Sequence, residues 1–306
     1  MIDVTLLGTG GMMPLPDRFL TSCMLQINGH SILIDCGEST QTAIRSAGLS
    51  FKPIDLICIT HFHADHISGL VGVLLSMANS ERKDPVTILA PPKAAQVISH
   101  MLVIAPQFPF ELYVSELKND VLPFDFEGIQ ITPFPVKHRV PCWGFSFYLP
   151  RLAKFDPGAA EALNVPRTLW SRLQSGEDVE LDDGRLIRAR QVTGAERRGV
   201  RVTYATDTRP VPVISEVGKG SDLMILEGMY GNDEKMDKAM HDGHMIFEEA
   251  AGIARDAGAK QLWLTHFSPA LPDPESYLDA ARAVFPDTVC GTCGMHTLLR
   301  YPEDGR

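Results

Sequence analysis

The sequence has no long hydrophobic run and little cysteine, and each shortage excludes a class of protein. No apolar stretch approaches the roughly 20 residues that a membrane-spanning helix requires. The opening segment MIDVTLLGTGG lacks the basic residues that begin an export signal. Six cysteines spread through 306 residues do not resemble a disulfide framework. We therefore expect a cytoplasmic protein with neither a membrane anchor nor an export signal.

Positive charge is also scarce, except in one segment. The net charge of −10 argues against a broad nucleic-acid surface, because phosphate binding depends largely on lysine and arginine. The segment GRLIRARQVTGAERRGVR, residues 184–201, nevertheless contains six arginines and one glutamate. On charge alone this basic segment is either a solvated loop or a binding surface, and both interpretations stay open.

Histidine, in contrast, is concentrated. The stretch ITHFHADHISGL, residues 59–70, places three histidines and an aspartate within six positions behind an apolar run. Further histidines and an aspartate follow later strand-like runs, and loops at strand ends can bring distant side chains together. The candidate metal ligands are His61, His63, Asp65, His66, His138, Asp207 and His266. Imidazole and carboxylate groups bind cations such as Zn²⁺ or Mn²⁺, and seven of them suit a dinuclear centre.

Strand-like and helix-like segments alternate on both sides of this cluster. The patterns typical of strands are DVTLLGTGG, CMLQINGHSILIDCG and IDLICITHF in the first half, and GVRVTYATDT, DLMILEG and KQLWLTHFS in the second. Helical spacing occurs in SGLVGVLLSMANSE and in MIFEEAAGIARDAG, which closes at Gly258. This order predicts an α/β protein with two sheets in an αββα sandwich.

The motifs resemble those of a known family. HFHADH, the later histidines and the aspartate after a strand look like the metallo-β-lactamase superfamily. Within it, the segments LLGTGGMMPLPDR, ILIDCGESTQ, VTYATDTRP and LWLTHFSP are similar to ribonuclease Z, the endonuclease family that trims the 3′ end of precursor tRNA. These matches run from about residue 4 to residue 269. The resemblance implies a metallo-β-lactamase-like fold of two mixed β-sheets flanked by helices.

The resemblance also implies how the ligands divide between two divalent metal ions, with Zn²⁺ expected first and Mn²⁺ or iron as alternatives. One metal would be held by His61, His63 and His138, and the other by Asp65, His66 and His266. Asp207 would bridge the two metals.

Two of the matched positions would be catalytic. Asp65 would accept a proton from the attacking water, as a carboxylate beside it can. His244 falls where the family carries an extra catalytic histidine, and it would stabilise or protonate the departing oxygen. Met245 replaces the family's hydroxyl residue, and His241 lies three positions earlier. An altered role for His244 therefore stays open.

The resemblance predicts a single domain over residues 1–306 with an inserted arm at about 150–185 that grips the tRNA body. The arm tip, NVPRTLW, departs from the family's glycine- and proline-rich tip. Arg167, Arg172 and Trp170 would either contact nucleic acid or cover an apolar surface. Arg18 is a further candidate for a phosphate contact, with a surface or capping role as its alternative.

We therefore expect a metal-dependent hydrolase that cleaves precursor tRNA beyond the acceptor stem, leaves a 3′ hydroxyl on the tRNA, and works as a homodimer. One alternative is a hydrolase of small phosphate or sulfate esters. Another is a non-catalytic metal-binding protein, although every ligand position is filled. Cys290 and Cys293 form a single C-x-x-C, which we interpret as ordinary thiols rather than a second metal site.

Overall fold

The computed structural model describes residues 1–303. Within that range, no helix has the length and apolar character needed to cross a membrane. The chain divides into two compact units. Unit 1 comprises Met1–Tyr148 and Arg201–Leu299, and unit 2 comprises Leu149–Val200 with residues 300–303.

The first sheet has seven strands. They are β1 (Ile2–Gly8), β2 (Ser22–Ile27), β3 (His30–Ile34), β4 (Ile54–Cys58), β5 (Val86–Ala90), β6 (Leu112–Glu116) and β16 (His296–Leu299). Their spatial order is β16-β1-β2-β3-β4-β5-β6. The pairs from β16 to β3 are antiparallel and those from β3 to β6 are parallel, so the sheet is mixed.

The second sheet also has seven strands. They are β7 (Phe124–Phe126), β8 (Ile129–Val136), β9 (Cys142–Arg151), β12 (Arg197–Ala205), β13 (Leu223–Glu227), β14 (Leu262–Thr265) and β15 (Thr288–Cys290). The order is β15-β14-β13-β12-β9-β8-β7. Strands β12 to β15 pair in parallel, whereas β7, β8 and β9 are antiparallel. The remaining two strands, β10 (Val179–Glu180) and β11 (Leu186–Ile187), form a small separate hairpin.

The described residues also form ten α-helices. They are α1 (Thr40–Ser46), α2 (Ala64–Ile67), α3 (Leu70–Asn79), α4 (Ala94–Met101), α5 (Pro157–Ala162), α6 (Trp170–Gln174), α7 (Pro212–Val217), α8 (Met236–Asp242), α9 (Phe247–Ala257) and α10 (Leu278–Val284). One apolar core packs α1, α3 and α4 on the first sheet, and another packs α7, α9 and α10 on the second. The predicted αββα sandwich is confirmed.

The predicted helices over SGLVGVLLSMANSE and MIFEEAAGIARDAG correspond to α3 and α9. Helix α9 ends at Gly258, whose φ of 62° is the left-handed conformation that glycine adopts at low cost. The segment CMLQINGHSILIDCG forms two strands, β2 and β3, joined through Asn28 and Gly29. Their φ values of 53° and 92° suit the tight turn that Asn-Gly favours between antiparallel strands.

Unit 2 has its own small apolar core. It contains α5, α6, β10 and β11, and Leu173 and Val192 are fully buried within it. Trp170 packs against this core and donates its indole N–H to the carbonyl of Val165 over 3.1 Å. The tryptophan thus covers apolar surface within unit 2.

Candidate metal centre

The candidate ligands lie in the loops that follow strand ends in unit 1. His61 follows β4, His138 follows β8, Asp207 follows β12 and His266 follows β14. The short helix α2 carries Asp65 and His66. The chain therefore brings ligands from both sheets to one place, as predicted from the strand-end pattern.

Asp207 lies at the middle of the cluster, with one carboxylate oxygen facing each group of histidines. Its Oδ2 lies 3.6 Å from Nε2 of His61 and 3.8 Å from Nε2 of His138. Its Oδ1 lies 3.2 Å from Nε2 of His66 and 3.1 Å from Nε2 of His266. One carboxylate thus connects two groups of ligand atoms, as a bridging ligand does.

The other ligands complete the two groups. Nδ1 of His63 lies 3.4 Å from Nε2 of His138 on one side of Asp207. On the other side, Oδ2 of Asp65 lies 3.3 Å from Nε2 of His266. Each group places ligand atoms within 4.8 Å of one another, which is compatible with a shared cation.

Residues behind the ligands fix the orientation of the rings. Nδ1 of His66 donates to Asp35 over 2.8 Å, and Nδ1 of His138 donates to the carbonyl of Gly243 over 3.1 Å. Thr60 donates hydrogen bonds from its backbone N–H and its hydroxyl to the Asp35 carboxylate. Oγ1 of Thr60 lies 3.0 Å from Nδ1 of His61. With Nδ1 so engaged, the Nε2 atom of each ring faces Asp207.

These contacts test whether the residues fit a metal. Lone pairs of neutral rings and carboxylate oxygens repel one another at the distances found here unless a proton or a metal cation lies among them. Nε2 of His61 and Oδ1 of Asp207 are buried without a hydrogen-bond partner in the described residues. Buried polar atoms rarely stay unsatisfied, and the donor set is one that borderline divalent metals accept. The fold and the cluster indicate divalent metal binding.

Electrostatics in the cluster favour bound cations. Burial lowers the pKa of His61 well below its usual value and keeps the ring neutral. Burial would also lower the pKa of His66, but the carboxylates of Asp207 and Asp35 outweigh it and raise that pKa well above its usual value. Asp65 is buried as well, yet His266 and His66 hold its pKa below the ordinary range. The acidic groups therefore stay ionised.

His244 lies beside the cluster with an acidic partner of its own. Its Nδ1 lies 3.0 Å from a carboxylate oxygen of Glu227, which ends β13 and is fully buried. Burial opposes the charged ring, but the carboxylate of Glu227 dominates and raises the pKa of His244 to about 9. Arg209 pairs with Glu249 at the start of α9 and donates to the carbonyl of His244. These contacts hold His244 in place, and its acidic partner favours the protonated ring.

The roles of Asp35, Glu227 and Arg209 were not predicted from the sequence. Asp35 and Arg209 stand inside motifs that were recognised, and Glu227 ends a buried strand. Three described residues of the cluster also have positive φ, with 57° at Asp35, 51° at Asp207 and 57° at His266. Such backbone positions concentrate at functional sites.

The three arginines that were predicted to bind substrate each have partners within their own unit. Arg18 donates to the carbonyls of Leu271 and Pro272 over 2.9 and 3.1 Å and holds the loop after His266. In unit 2, Arg167 lies 3.3 Å from Glu161, and Arg172 pairs with Glu177. A phosphate contact by any of them stays a prediction.

Within residues 1–303 no cysteine is among the candidate ligands, although Sγ of Cys142 lies 3.7 Å from Nδ1 of His61. All six are free, and Cys290 and Cys293 belong to no group that could hold a metal within residues 1–303. The interpretation of the C-x-x-C as ordinary thiols stays a prediction.

Comparison with known proteins first defines the class. Residues 158–267 match the family profile of a beta-lactamase superfamily domain, and residues 2–141 match the profile described as anti-Pycsar protein Apyc1. The crystal structure of human tRNase Z, short form, has a TM-score of 0.69 and 25% sequence identity, and covers 98% of this chain and 100% of its own. The chain is thus a metallo-β-lactamase-fold hydrolase.

Full-length relatives then define the family. A ribonuclease Z of Lachnospira eligens is 48% identical over 305 residues and covers 100% of both chains. A ribonuclease Z of Lachnoclostridium phytofermentans is 49% identical over 304 residues, covering 99% of this chain and 100% of its own. The chain belongs to the ribonuclease Z family.

Proposed function

We propose that this protein is a metal-dependent endoribonuclease that removes the 3′ trailer of precursor tRNA and leaves a 3′ hydroxyl on the tRNA. The observation that carries the proposal is the cluster of candidate ligands around Asp207 in a full-length relative of ribonuclease Z. An ester hydrolase acting on small substrates would need a similar centre, but the full-length relatives favour tRNA.

The ligand roles follow from the two groups around Asp207. His61, His63 and His138 would hold one ion, Asp65, His66 and His266 the other, and Asp207 both. Zn²⁺ is the first expectation because imidazole and carboxylate ligands suit it, with Mn²⁺ or iron as alternatives. Two such ions, when bound, would neutralise charge on the phosphate and acidify the attacking water.

Asp65 is the proposed proton acceptor. Its Oδ2 accepts the backbone N–H of Met12 over 2.6 Å and lies 3.3 Å from His266, which fixes the carboxylate. A carboxylate that stays ionised can accept a proton from the attacking water while the oxygen of that water forms a bond to phosphorus. Asp65 would thereby combine a ligand role with general-base catalysis.

His244 is the proposed proton donor. Its interaction with Glu227 keeps the ring protonated, so the proton is available when the bond between phosphorus and the 3′ oxygen breaks. The 3′ oxygen would leave with that proton as the hydroxyl of the mature tRNA, and the phosphate would stay on the trailer. The altered residue after it, Met245, is fully buried and does not enter this step.

Three further assignments belong to the same proposal. Residues from about 150 to 185 would serve as the tRNA-gripping arm of a single domain. A homodimer is proposed, and Val103 and Ile104, which are 78% and 83% exposed, form a surface in unit 1 to test as its contact. The free cysteines agree with a reducing cytoplasm.

The decisive experiment incubates the protein with end-labelled precursor tRNA, with and without added Zn²⁺ or Mn²⁺, beside a chromogenic bis-phosphodiester. Metal-dependent cleavage at one position near the acceptor stem is expected. Hydrolysis of the small ester alone would contradict tRNA processing while retaining the metal chemistry. Light scattering of the same sample, with Ile104→Asp as the variant, tests the homodimer.

A further inference from the structure

An apolar cavity of about 310 Å³ opens beside the metal centre in unit 1. It shares His63 with the ligand cluster, so whatever occupies it lies next to the reacting phosphate. Its size is at the lower end of small-molecule binding sites. Its apolar lining consists of Phe62, Pro91, Pro92, Val97, Val140 and Pro141.

The lining suits a flat, uncharged ring. Phe62 contributes an aromatic side chain, and apolar side chains line the rest of the cavity. Nucleobases stack on such surfaces without needing a specific hydrogen-bond pattern. A sugar or a phosphate would find few polar partners here, because His63 and Lys93 are the only charged or polar residues of the lining. The chemistry therefore favours a base.

Lys93 provides the one positive charge of the cavity. It is exposed, and its ammonium group has no hydrogen-bond or ion-pair partner among the described residues. Its backbone is in the left-handed region, with φ of 76°, at the start of α4. Residues other than glycine adopt this backbone conformation at a cost in energy, and strained backbone of this kind concentrates where ligands bind. A free lysine beside an apolar cavity matches a base followed by a phosphate.

The order of the histidines indicates which base this is. His63 and His138 have ring centroids 5.1 Å apart, as do His138 and His244. No ring contact joins His63 to His244 within the described residues, so His63 lies farther from His244 than His138 does. The proposed function places the tRNA 3′ oxygen at His244. The cavity at His63 then lies on the side of the cluster away from the tRNA 3′ oxygen, which leaves it to the trailer.

We propose that this cavity binds the base of the first trailer nucleotide and that Lys93 contacts the phosphate that follows it. The inference rests on the proposed function, since it needs a cut between tRNA and trailer. In this proposal, the binding of the first trailer nucleotide depends on Phe62, Val140 and Lys93.

The test compares precursor tRNAs whose first trailer nucleotide is either normal or abasic. The wild-type holoenzyme is expected to cleave the normal substrate about tenfold more efficiently in kcat/KM, the scale of one stacked base. Val140→Phe, which fills the cavity, should bring this ratio close to one. Lys93→Gln should raise KM for a trailer of several nucleotides but not for a single-nucleotide trailer, which has no following phosphate. Lys219→Gln, at an exposed lysine elsewhere in unit 1, is the matched control.

A second measurement does not depend on turnover. Precursor tRNA with 2-aminopurine at the first trailer position should lose fluorescence on binding the Asp65→Asn variant, and Val140→Phe in that background should abolish the loss. Metal content and Tm establish that each variant is folded and loaded. Equal cleavage of abasic and normal substrates by the wild type, or an unchanged preference in Val140→Phe, would overturn the cavity assignment. Failure to cleave either substrate would instead refute the proposed function, and this inference with it.

Discussion

Charged side chains are held in opposite ways in the candidate metal centre of unit 1 and in the predicted arm of unit 2. In unit 1, Asp207 is 2% exposed, and residues behind the cluster fix the rings of its histidine neighbours. In unit 2, the side chain of Arg167 is 81% exposed and its one acidic neighbour, Glu161, is exposed as well. Buried polar groups with fixed partners suit chemistry, whereas exposed ion pairs contribute little stability and can exchange partners. We expect substitutions in the first region to affect kcat or metal binding, and those in the second to affect KM.

The largest effect is expected from Asp65→Ala. The change removes a proposed metal ligand and the proposed proton acceptor together, so kcat should fall by about a thousandfold or more. Cleavage of end-labelled precursor tRNA measures the loss. Asp287→Ala, at an exposed aspartate of unit 1, should cleave at the wild-type rate. An active Asp65→Ala enzyme would contradict the mechanism.

His244→Ala should have the next largest effect. Without the proposed proton donor, kcat should fall by about a hundredfold or more while KM changes little, because the donor acts on the leaving oxygen. His241 supplies a matched control, since it lies three residues earlier with its side chain 81% exposed. A comparable loss in His241→Ala would move the catalytic role to that residue.

The candidate ligands show how much of the site the sequence predicts. Asp65 and the histidines near it were predicted because so many ligand-type side chains in one short stretch are rarely needed except to bind a metal. Asp207 and His266 were predicted because each follows a buried strand in a recognised motif. The αββα layers followed from the alternation of strands and helices, since each apolar face must be covered.

The partners of the ligands could not be predicted in the same way. Glu227 contacts His244 only because the end of β13 and the loop before α9 meet in space. A glutamate at the end of an apolar strand does not by itself indicate such a partner. The role of Arg18 depended on which carbonyls lie near it after folding, and three belong to the loop beyond His266. Pairings across more than ten residues come from tertiary packing, which local patterns do not contain.

Asp35→Asn should have an intermediate effect. An asparagine side chain has nearly the same shape, but its amide nitrogen cannot accept a hydrogen bond. It therefore cannot replace every hydrogen bond that the Asp35 carboxylate accepts from Thr60 and His66. Loss of such a supporting carboxylate lowers metal affinity by roughly tenfold to a hundredfold. Competition with a chelator measures the affinity, and Tm recorded with excess chelator separates a metal defect from a folding defect. An unchanged affinity would show that the ligands are oriented without Asp35.

The smallest effect is expected in unit 2, from the double variant Arg167→Ala and Arg172→Ala. If these arginines contact phosphate, KM for precursor tRNA should rise about twofold to fivefold and its salt dependence should weaken. Because Arg172 is already paired with Glu177, the variant Glu177→Gln should release it and lower KM at low salt. Arg255→Ala, which breaks a similar exposed pair with Asp256 in unit 1, is the control. If KM depends on salt concentration equally in all these variants, the exposed ion pairs of unit 2 do not contact tRNA. The basic segment of residues 184–201 would then be the next region to test for the tRNA contact.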